Sequence, residues 1–385
     1  MTNSQGGFSL SKHHKMKTFF LTILSLYLVA NIYVSFATYH LMPANSALRT
    51  VALTIIIIGF VSPIIFFTFG ERLPMDLAGF LYKFGTSWMI AFLYILLMFV
   101  LFDLFKLSNH IFQFADKELI GSIFKKNGTT VTIGFGAIAL LLIFGNLNYH
   151  NKKRIHIGIQ SEKIEDPLKI VGISDLHLGH TISRKELAKW VKMINRENPD
   201  LILIAGDLID NQLRPLIQQS MDKELVKLKA PLGIYACTGN HEFISGIKES
   251  SAFYKKSGIT LLRDSSASVG GLTIIGREDH SHKNRKSLSE IIAGSDLAKF
   301  SILLDHQPNN LDEAVENRID FQLSGHTHHG QVFPISLITK KMFELSHGYK
   351  QKENSHFYVS SGLGIWGGKF RIGTQSEYLV LELKK

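Results

Sequence analysis

Four stretches without a charged residue, 18–38, 51–70, 84–102 and 129–147, constrain this chain more than any other feature. Each is close to the roughly 20 residues with which a helix crosses about 30 Å of hydrocarbon. They are apolar all round, so a soluble bundle made of them would have no polar face to turn to water. They predict four transmembrane helices. The first run is longer than the ~7–15 apolar residues of a cleaved signal core, and three more follow it, which favours a retained anchor. The composition changes near residue 150, giving residues 1–150 as an all-α membrane region and 151–385 as a separate domain.

Charges flanking the spans indicate an orientation. Lys12, Lys15 and Lys17 precede the first, Arg72 lies between the second and third, and Lys152, Lys153 and Arg154 follow the fourth, all on one side. The other side carries Arg49, Lys106, Lys117, Lys125 and Lys126, offset by Asp103, Asp116 and Glu118. The positive-inside rule then places both termini and the second domain in the cytoplasm. The net charge of +10 suits a protein lying against an anionic bilayer or handling anionic substrates. The basic residues are scattered and gather beside the spans, and no nucleic-acid module is recognisable, so nucleic acid is not an expected partner. Cys237, the single cysteine, excludes an intramolecular disulfide and a thiolate metal cluster, and its apolar strand IYAC marks it as a core residue.

After residue 168 the chain alternates strand and helix signals. KIVGIS leads to a helix from about 184 to 195, with Leu187, Trp190, Val191 and Ile194 on one face, and then to LILIAG. A helix over 215–228, the strand GIYACTG and a helix over 247–256 repeat the pattern, and ITLLRD, SASV, LTIIGRED, FSILLDH, DFQLSG, HFYVSSG and EYLVLELK read as further strands. At the ends of these apolar runs stand Asp175 and His177 (SDLHLG), Asp207 (AGDLID), Asn240 and His241 (TGNHE), His306 (LLDHQP), and His326 and His328 (SGHTHHG). One βαβ repeat separates Asp175, Asp207 and Asn240, so adjacent parallel strands deliver them side by side. Carboxylate, carboxamide and imidazole donors without thiolate suit hard divalent cations, and a shared carboxylate can bridge two ions about 3.5–4 Å apart, an arrangement fitted to phosphoryl transfer.

The ordered set D-x-H, G-D, G-N-H-E, H and G-H-x-H over residues 168–385 resembles the calcineurin-like metallophosphoesterase superfamily. With four amino-terminal spans and the segments GHTHHGQVFP and GLGIWGGKFRIG, the chain is most similar to its membrane-bound group, which includes transmembrane proteins with a metallophosphoesterase domain and YaeI-like phosphodiesterases. The resemblance implies an α/β (α+β) four-layer sandwich of two mixed sheets flanked by helices. It implies one ion held by Asp175, His177, Asp207 and His328, and a second by Asp207, Asn240, His306 and His326. Asp207 bridges them, and His241 contacts the scissile phosphate or protonates the leaving oxygen. The ions expected are manganese first, with iron, zinc or magnesium as alternatives. Some members of the superfamily cleave the pyrophosphate of UDP-2,3-diacylglucosamine, so a lipid-linked phosphodiester or pyrophosphate is the expected substrate, and a bacterial inner (plasma) membrane the expected location.

Two segments mix hydrophobes with cations: Ile335, Leu337, Ile338, Met342 and Phe343 with Lys340 and Lys341, and Trp366 and Phe370 with Lys369 and Arg371. Read as loops, they are placed to dip into the bilayer interface. Arg371, Trp366 and His329 are the candidate substrate-binding residues, and Glu242 is a candidate for orienting neighbouring loop groups. A further basic run, Arg277, His280, His282, Lys283, Arg285 and Lys286, reads as a solvated loop, with a site for a second phosphate or a nucleotide as the alternative. The competing functions are a phosphomonoesterase or phosphoprotein phosphatase using the same metals, and a receptor or transporter with a regulatory phosphoesterase-like domain. The apolar cores of the spans hold no ionisable residue, which argues against a transporter.

Overall fold

A computed structural model describes residues 6–385; the side chains of residues 6–17, 19 and 20, and with them Lys12, Lys15 and Lys17, lie outside the description. The chain divides into two compact units, Met1–Gly70 with Phe84–Leu141, and Glu71–Lys83 with Leu142–Lys385. The longer helices α1 (Gly6–Leu41), α2 (Ser46–Phe69), α3 (Met75–Phe112) and α5 (Gly128–His150), with the short α4 (Lys117–Phe124) between the last two, make up most of the first unit. The amino-terminal turns of α3 and the carboxyl-terminal turns of α5 belong to the second. Each of the four long helices is long and apolar enough to cross a membrane. Their apolar side chains face outward: Leu26, Ile57, Leu101 and Leu140 are 60–68% exposed, which only hydrocarbon can cover without cost.

The second unit contains twelve strands: β1 (Lys153–Gln160), β2 (Leu168–Ile173), β3 (Leu201–Ala205), β4 (Ile234–Cys237), β5 (Thr260–Leu261), β6 (Ser265–Val269), β7 (Leu272–Gly276), β8 (Phe300–Leu304), β9 (Phe321–Ser324), β10 (Gly348–Lys352), β11 (Ser355–Val359) and β12 (Glu377–Lys384). They form two six-stranded mixed sheets, ordered β1-β12-β2-β3-β4-β5 and β10-β11-β9-β8-β7-β6. In the first, β2, β3, β4 and β5 run parallel, and in the second β11, β9, β8 and β7 do.

Alternation within each strand builds the layers. Leu201 and Leu203 of β3 face the second sheet and meet Ile274, Ile302 and Phe321, while Ile202 and Ile204 face the helices. Helix α6 (Arg184–Arg196) closes that outer face because Leu187, Trp190, Val191 and Ile194 recur at helical spacing on its buried side. Across the second sheet, Ile275, Leu303 and Phe357 pack under Leu288 and Ile291. The result is the expected four-layer sandwich of two sheets flanked by helices.

Three local expectations differ. The stretch 215–228 is two short helices, Arg214–Gln218 and Asp222–Leu225, because Ser220 between them takes a φ of 51°. Residues Ile335–Met342 form a helix rather than a loop. Strands β1 and β10 join the sheets where the sequence had suggested none.

Candidate metal centre

Every expected ligand sits just past the carboxyl end of a strand. Asp175 and His177 follow β2, Asp207 follows β3 and Asn240 follows β4, while His306 follows β8 and His326 and His328 follow β9. All five of these strands lie in the parallel parts of their sheets, so one edge of the sandwich collects the donors. The loops are zipped by backbone bonds: Asp175 N donates to Gly206 O (3.2 Å), His177 N to Asp207 O (3.0 Å) and Gly325 N to His306 O (2.9 Å).

The turns that aim these side chains are strained. Asp175, His177, Asp207, His326 and His328 all take positive φ, between 46° and 68°. Each such residue costs on the order of 1–3 kcal/mol, and clustering of this kind marks a site that the surrounding fold over-determines. Close approach adds a second constraint. A methyl group on Gly239 would collide with Asp207 Oδ1, and one on Gly325 with Asp175 Oδ2.

The donors form three overlapping groups whose candidate ligand atoms lie within 4.8 Å of one another: Asp175, His177 and His328; Asp207, His306 and His326; and His177, Asp207 and His241. Asp207 Oδ2 links the first two, at 3.7 Å from His177 Nε2 and 3.1 Å from His306 Nε2. His177 Nε2 and His328 Nε2 are 3.0 Å apart, and His326 Nδ1 is 2.9 Å from Asn240 Oδ1.

These contacts fit a cation. His306 Nδ1 donates to Ala205 O at 2.7 Å, because a carbonyl can only accept, so a neutral His306 turns an Nε2 lone pair towards the Asp207 carboxylate. Two acceptors at that separation need a proton or a metal between them. His306 Nε2, His177 Nδ1 and His328 Nδ1 are buried without a hydrogen-bond partner.

Electrostatics point the same way. Burial pulls the Asp207 pKa upward, but His306, His241 and His177 outweigh it and hold the carboxyl well below its ordinary range. Burial, then the His306 charge, lowers His326 to about 4. Burial pulls His306 down as well, but the Asp207 carboxylate outweighs it and holds His306 well above its ordinary value, so that a proton fills the gap between His306 and Asp207 when no metal does.

His241 stands apart from the two four-residue sets. Its Nδ1 donates to Asp210 O at 2.9 Å, its backbone N–H donates to Asp207 Oδ1 at 2.9 Å, and its ring meets that of His177 edge-on at 4.6 Å. Nε2 is thereby left for chemistry. Glu242 is fully buried and accepts from the N–H groups of Asp207 (3.0 Å), Ile209 (3.1 Å) and Gly239 (2.7 Å), so it ties two ligand loops together. Burial, then the Asp207 charge, raises its carboxyl to about 7 against those donors.

Arg371 is wholly buried and donates to the carbonyls of His328 (2.7 Å), Ser361 (2.5 Å) and Gly364 (3.1 Å) and to Ser376 Oγ (3.2 Å). With these donors directed inward it braces the loops that carry His328 and Gly364. Trp366 is partly buried, its carbonyl accepting from Gln331, and the His329 ring lies against His347 at 4.6 Å. Of the basic run, Arg277 pairs with Glu313 (2.6 Å) and Asp305 (3.4 Å) and Arg285 pairs with Asp305, so these two are structural rather than solvated.

Asp210 was not singled out from the sequence. Its Oδ1 lies 3.5 Å from His177 Nδ1 and 3.6 Å from His241 Nδ1, behind both imidazoles. A second carboxylate three residues beyond Asp207 in AGDLID was the available signal.

Residues 168–330 match the family described as calcineurin-like phosphoesterase. An "uncharacterized metallophosphoesterase" of Helicobacter pylori strain J99 is 34% identical over 260 residues, covering 65% of this chain and 70% of that one. A protein of the same description from a second Helicobacter pylori strain is 31% identical over 298 residues, 74% of this chain and 80% of that one. A "transmembrane protein with metallophosphoesterase domain" of Danio rerio is 32% identical over 268 residues, covering 64% of this chain and 61% of that one.

Proposed function

The chain belongs to the calcineurin-like metallophosphoesterase family, and from that premise we propose that it hydrolyses a phosphodiester or pyrophosphate bond in a lipid-linked substrate at a membrane surface. It is a metal-dependent phosphoester hydrolase and a membrane protein with four apolar helices. The observation that carries the lipid reading is the helix Ile335–Met342. Phe333, Leu337, Ile338 and Met342 around it are 50–69% exposed, Lys340 and Lys341 sit at its end, and the Phe343 ring that follows is 6.2 Å from that of His326. An exposed apolar patch with cations beside it, one residue from a ligand, suits an acyl chain with an anionic headgroup.

Two divalent ions at the centre, manganese in this proposal, supply charge neutralisation and an activated water at phosphorus. Asp175, His177, Asp207 and His328 would hold one, and Asp207, Asn240, His306 and His326 the other. The chain's own part is orientation and proton delivery. Hydrogen bonding of Nδ1 to the Asp210 carbonyl fixes the His241 ring, whose Nε2 carries the proton for the leaving oxygen. A UDP-diacylglucosamine-type lipid has the required headgroup and acyl chains. The catalytic domain faces the cytoplasm from a bacterial inner membrane in this reading.

The test is hydrolysis by the full-length protein with Mn²⁺ of bis-p-nitrophenyl phosphate, p-nitrophenyl phosphate and a UDP-diacylglucosamine lipid, with Asp207→Ala as control. Leu337→Ser/Ile338→Ser/Met342→Ser is expected to depress lipid turnover about tenfold or more while sparing the soluble diester. Equal loss on both sinks the lipid reading, and preference for the monoester puts the phosphatase alternative first.

A further inference from the structure

We propose that Tyr82, in the amino-terminal turns of α3, is a positioning residue of the hydrolytic site. Its side chain is 1% exposed, and its hydroxyl donates to Asp210 Oδ2 at 2.5 Å while accepting from Asn211 Nδ2 at 3.0 Å. The ring lies 5.9 Å from that of His180. The turn before it is held as well, because Arg214 Nη1 donates to the carbonyls of Glu71 (3.0 Å) and Leu73 (2.8 Å). Residues 71–83 are thus built into the second unit beside the AGDLID loop.

The target of the Tyr82 hydroxyl gives this contact its consequence. Asp210 accepts from His241 Nδ1 at its carbonyl (2.9 Å), and its Oδ1 lies 3.5 Å from His177 Nδ1 and 3.6 Å from His241 Nδ1, close enough for its charge to act on both rings though beyond a formed hydrogen bond. The torsion that turns a carboxylate about its last bond is broad and weakly held by itself. Pinning Oδ2 from one side therefore decides where Oδ1 points on the other. Through Asp210, Tyr82 sets the ring of a candidate metal ligand, His177, and of the proton donor, His241, without touching substrate. Groups in this outer position typically change metal affinity or activity by about 10–100-fold when removed. A helix long and apolar enough to enter a bilayer thereby contributes to the chemistry as well as to anchoring.

The inference rests on the hydrolytic reading of the centre but not on a lipid being the substrate. It is tested on the full-length protein with Tyr82→Phe, Asp210→Asn and the double variant. Two quantities are measured: Mn²⁺ affinity by calorimetry, and kcat and KM on whichever nitrophenyl ester the wild type cleaves, at limiting and saturating Mn²⁺. Tyr82→Phe is expected to weaken Mn²⁺ binding about tenfold and to lower kcat at limiting Mn²⁺, with only partial recovery at saturation, where the loss through His241 remains, and with unchanged KM. In the Asp210→Asn background it is expected to add almost nothing, since the effect runs through that carboxylate. A purely structural role would move none of these while lowering the melting temperature.

Unchanged Mn²⁺ affinity in Tyr82→Phe, or the same loss with and without Asp210, overturns the proposal. If the wild type cleaves neither ester, the diester reading fails while calorimetry still decides Tyr82. Should Tyr82→Phe not fold, Asn211→Ala leaves the hydroxyl but removes its donor, and a severalfold weakening of Mn²⁺ binding is expected; none overturns the proposal.

Discussion

The two units use the same apolar residue types in opposite ways. In the membrane unit Ile57, Leu101 and Leu140 point outward, more than half exposed, whereas in the second unit Ile202, Leu303 and Phe321 are at most 1% exposed. Polar groups are distributed the other way round. Asp175, Asp207, Glu242 and His306 are buried at one edge of the sandwich, and the cores of the spans carry no charge at all. The difference teaches where each unit gets its stability. One relies on hydrocarbon to cover its side chains, and the other on its own sheets, which lets it afford a strained, charged edge.

The comparison is broken most severely at that edge. His241→Ala is expected to lower kcat by about 10²–10⁴-fold while the protein keeps its metal, and Asp207→Ala to lose both, as read by turnover with Mn²⁺ and by metal content. Full turnover in His241→Ala would remove its assigned role. Next comes the apolar contrast itself. Ile302→Ala, between the sheets, is expected to cost about 2–5 kcal/mol in denaturant unfolding of the second unit. Ile57→Ala, facing outward, should change stability by less than about 0.5 kcal/mol in a lipid environment.

Arg371→Ala leaves several buried carbonyls without a donor and is expected to cost about 2–3 kcal/mol, together with metal affinity through the His328 loop. A smaller effect is pH-dependent. Burial raises the Glu186 pKa, but the Lys369 charge and the hydrogen bonds from Lys369 and Tyr149 outweigh it and leave the carboxyl below its ordinary 4.5. A depressed carboxyl contributes stability that is full above the unfolded value and lost as pH falls through the folded one. Melting temperature should therefore fall on acidification below about pH 4.5, and Glu186→Gln should flatten that slope.

How much of this was legible in the sequence depended on locality. The clustering of the candidate ligands could be read because each follows an apolar run that ends abruptly at Asp, Asn or His, and the strand periodicity places them on one edge. Strand β1 could not, because the cations of KRIHIGIQ read as charges flanking a span although its Ile residues alternate. Strand β10, GYKQK, is a polar edge strand held by one partner. The helix Ile335–Met342 escaped notice because its apolar side faces out and Ser336 is the residue it buries, the reverse of the usual pattern. Arg371 looked like one more cation beside a hydrophobic loop, and nothing local marks a guanidinium whose partners are carbonyls. Tyr82 lies 128 residues from Asp210, and only tertiary packing brings the two together.

Strand β12 also dictates when the site can form during synthesis. It lies between β1 and β2, pairing parallel with one and antiparallel with the other, and it follows all of the candidate metal donors named above. Until residue 384 has left the ribosome, β1 has no neighbour and β2, which leads into Asp175 and His177, is an unprotected edge. The candidate donors are therefore all translated before the sheet that aligns them is complete, and it is the pairing of β12, rather than the arrival of the donors themselves, that finishes their alignment.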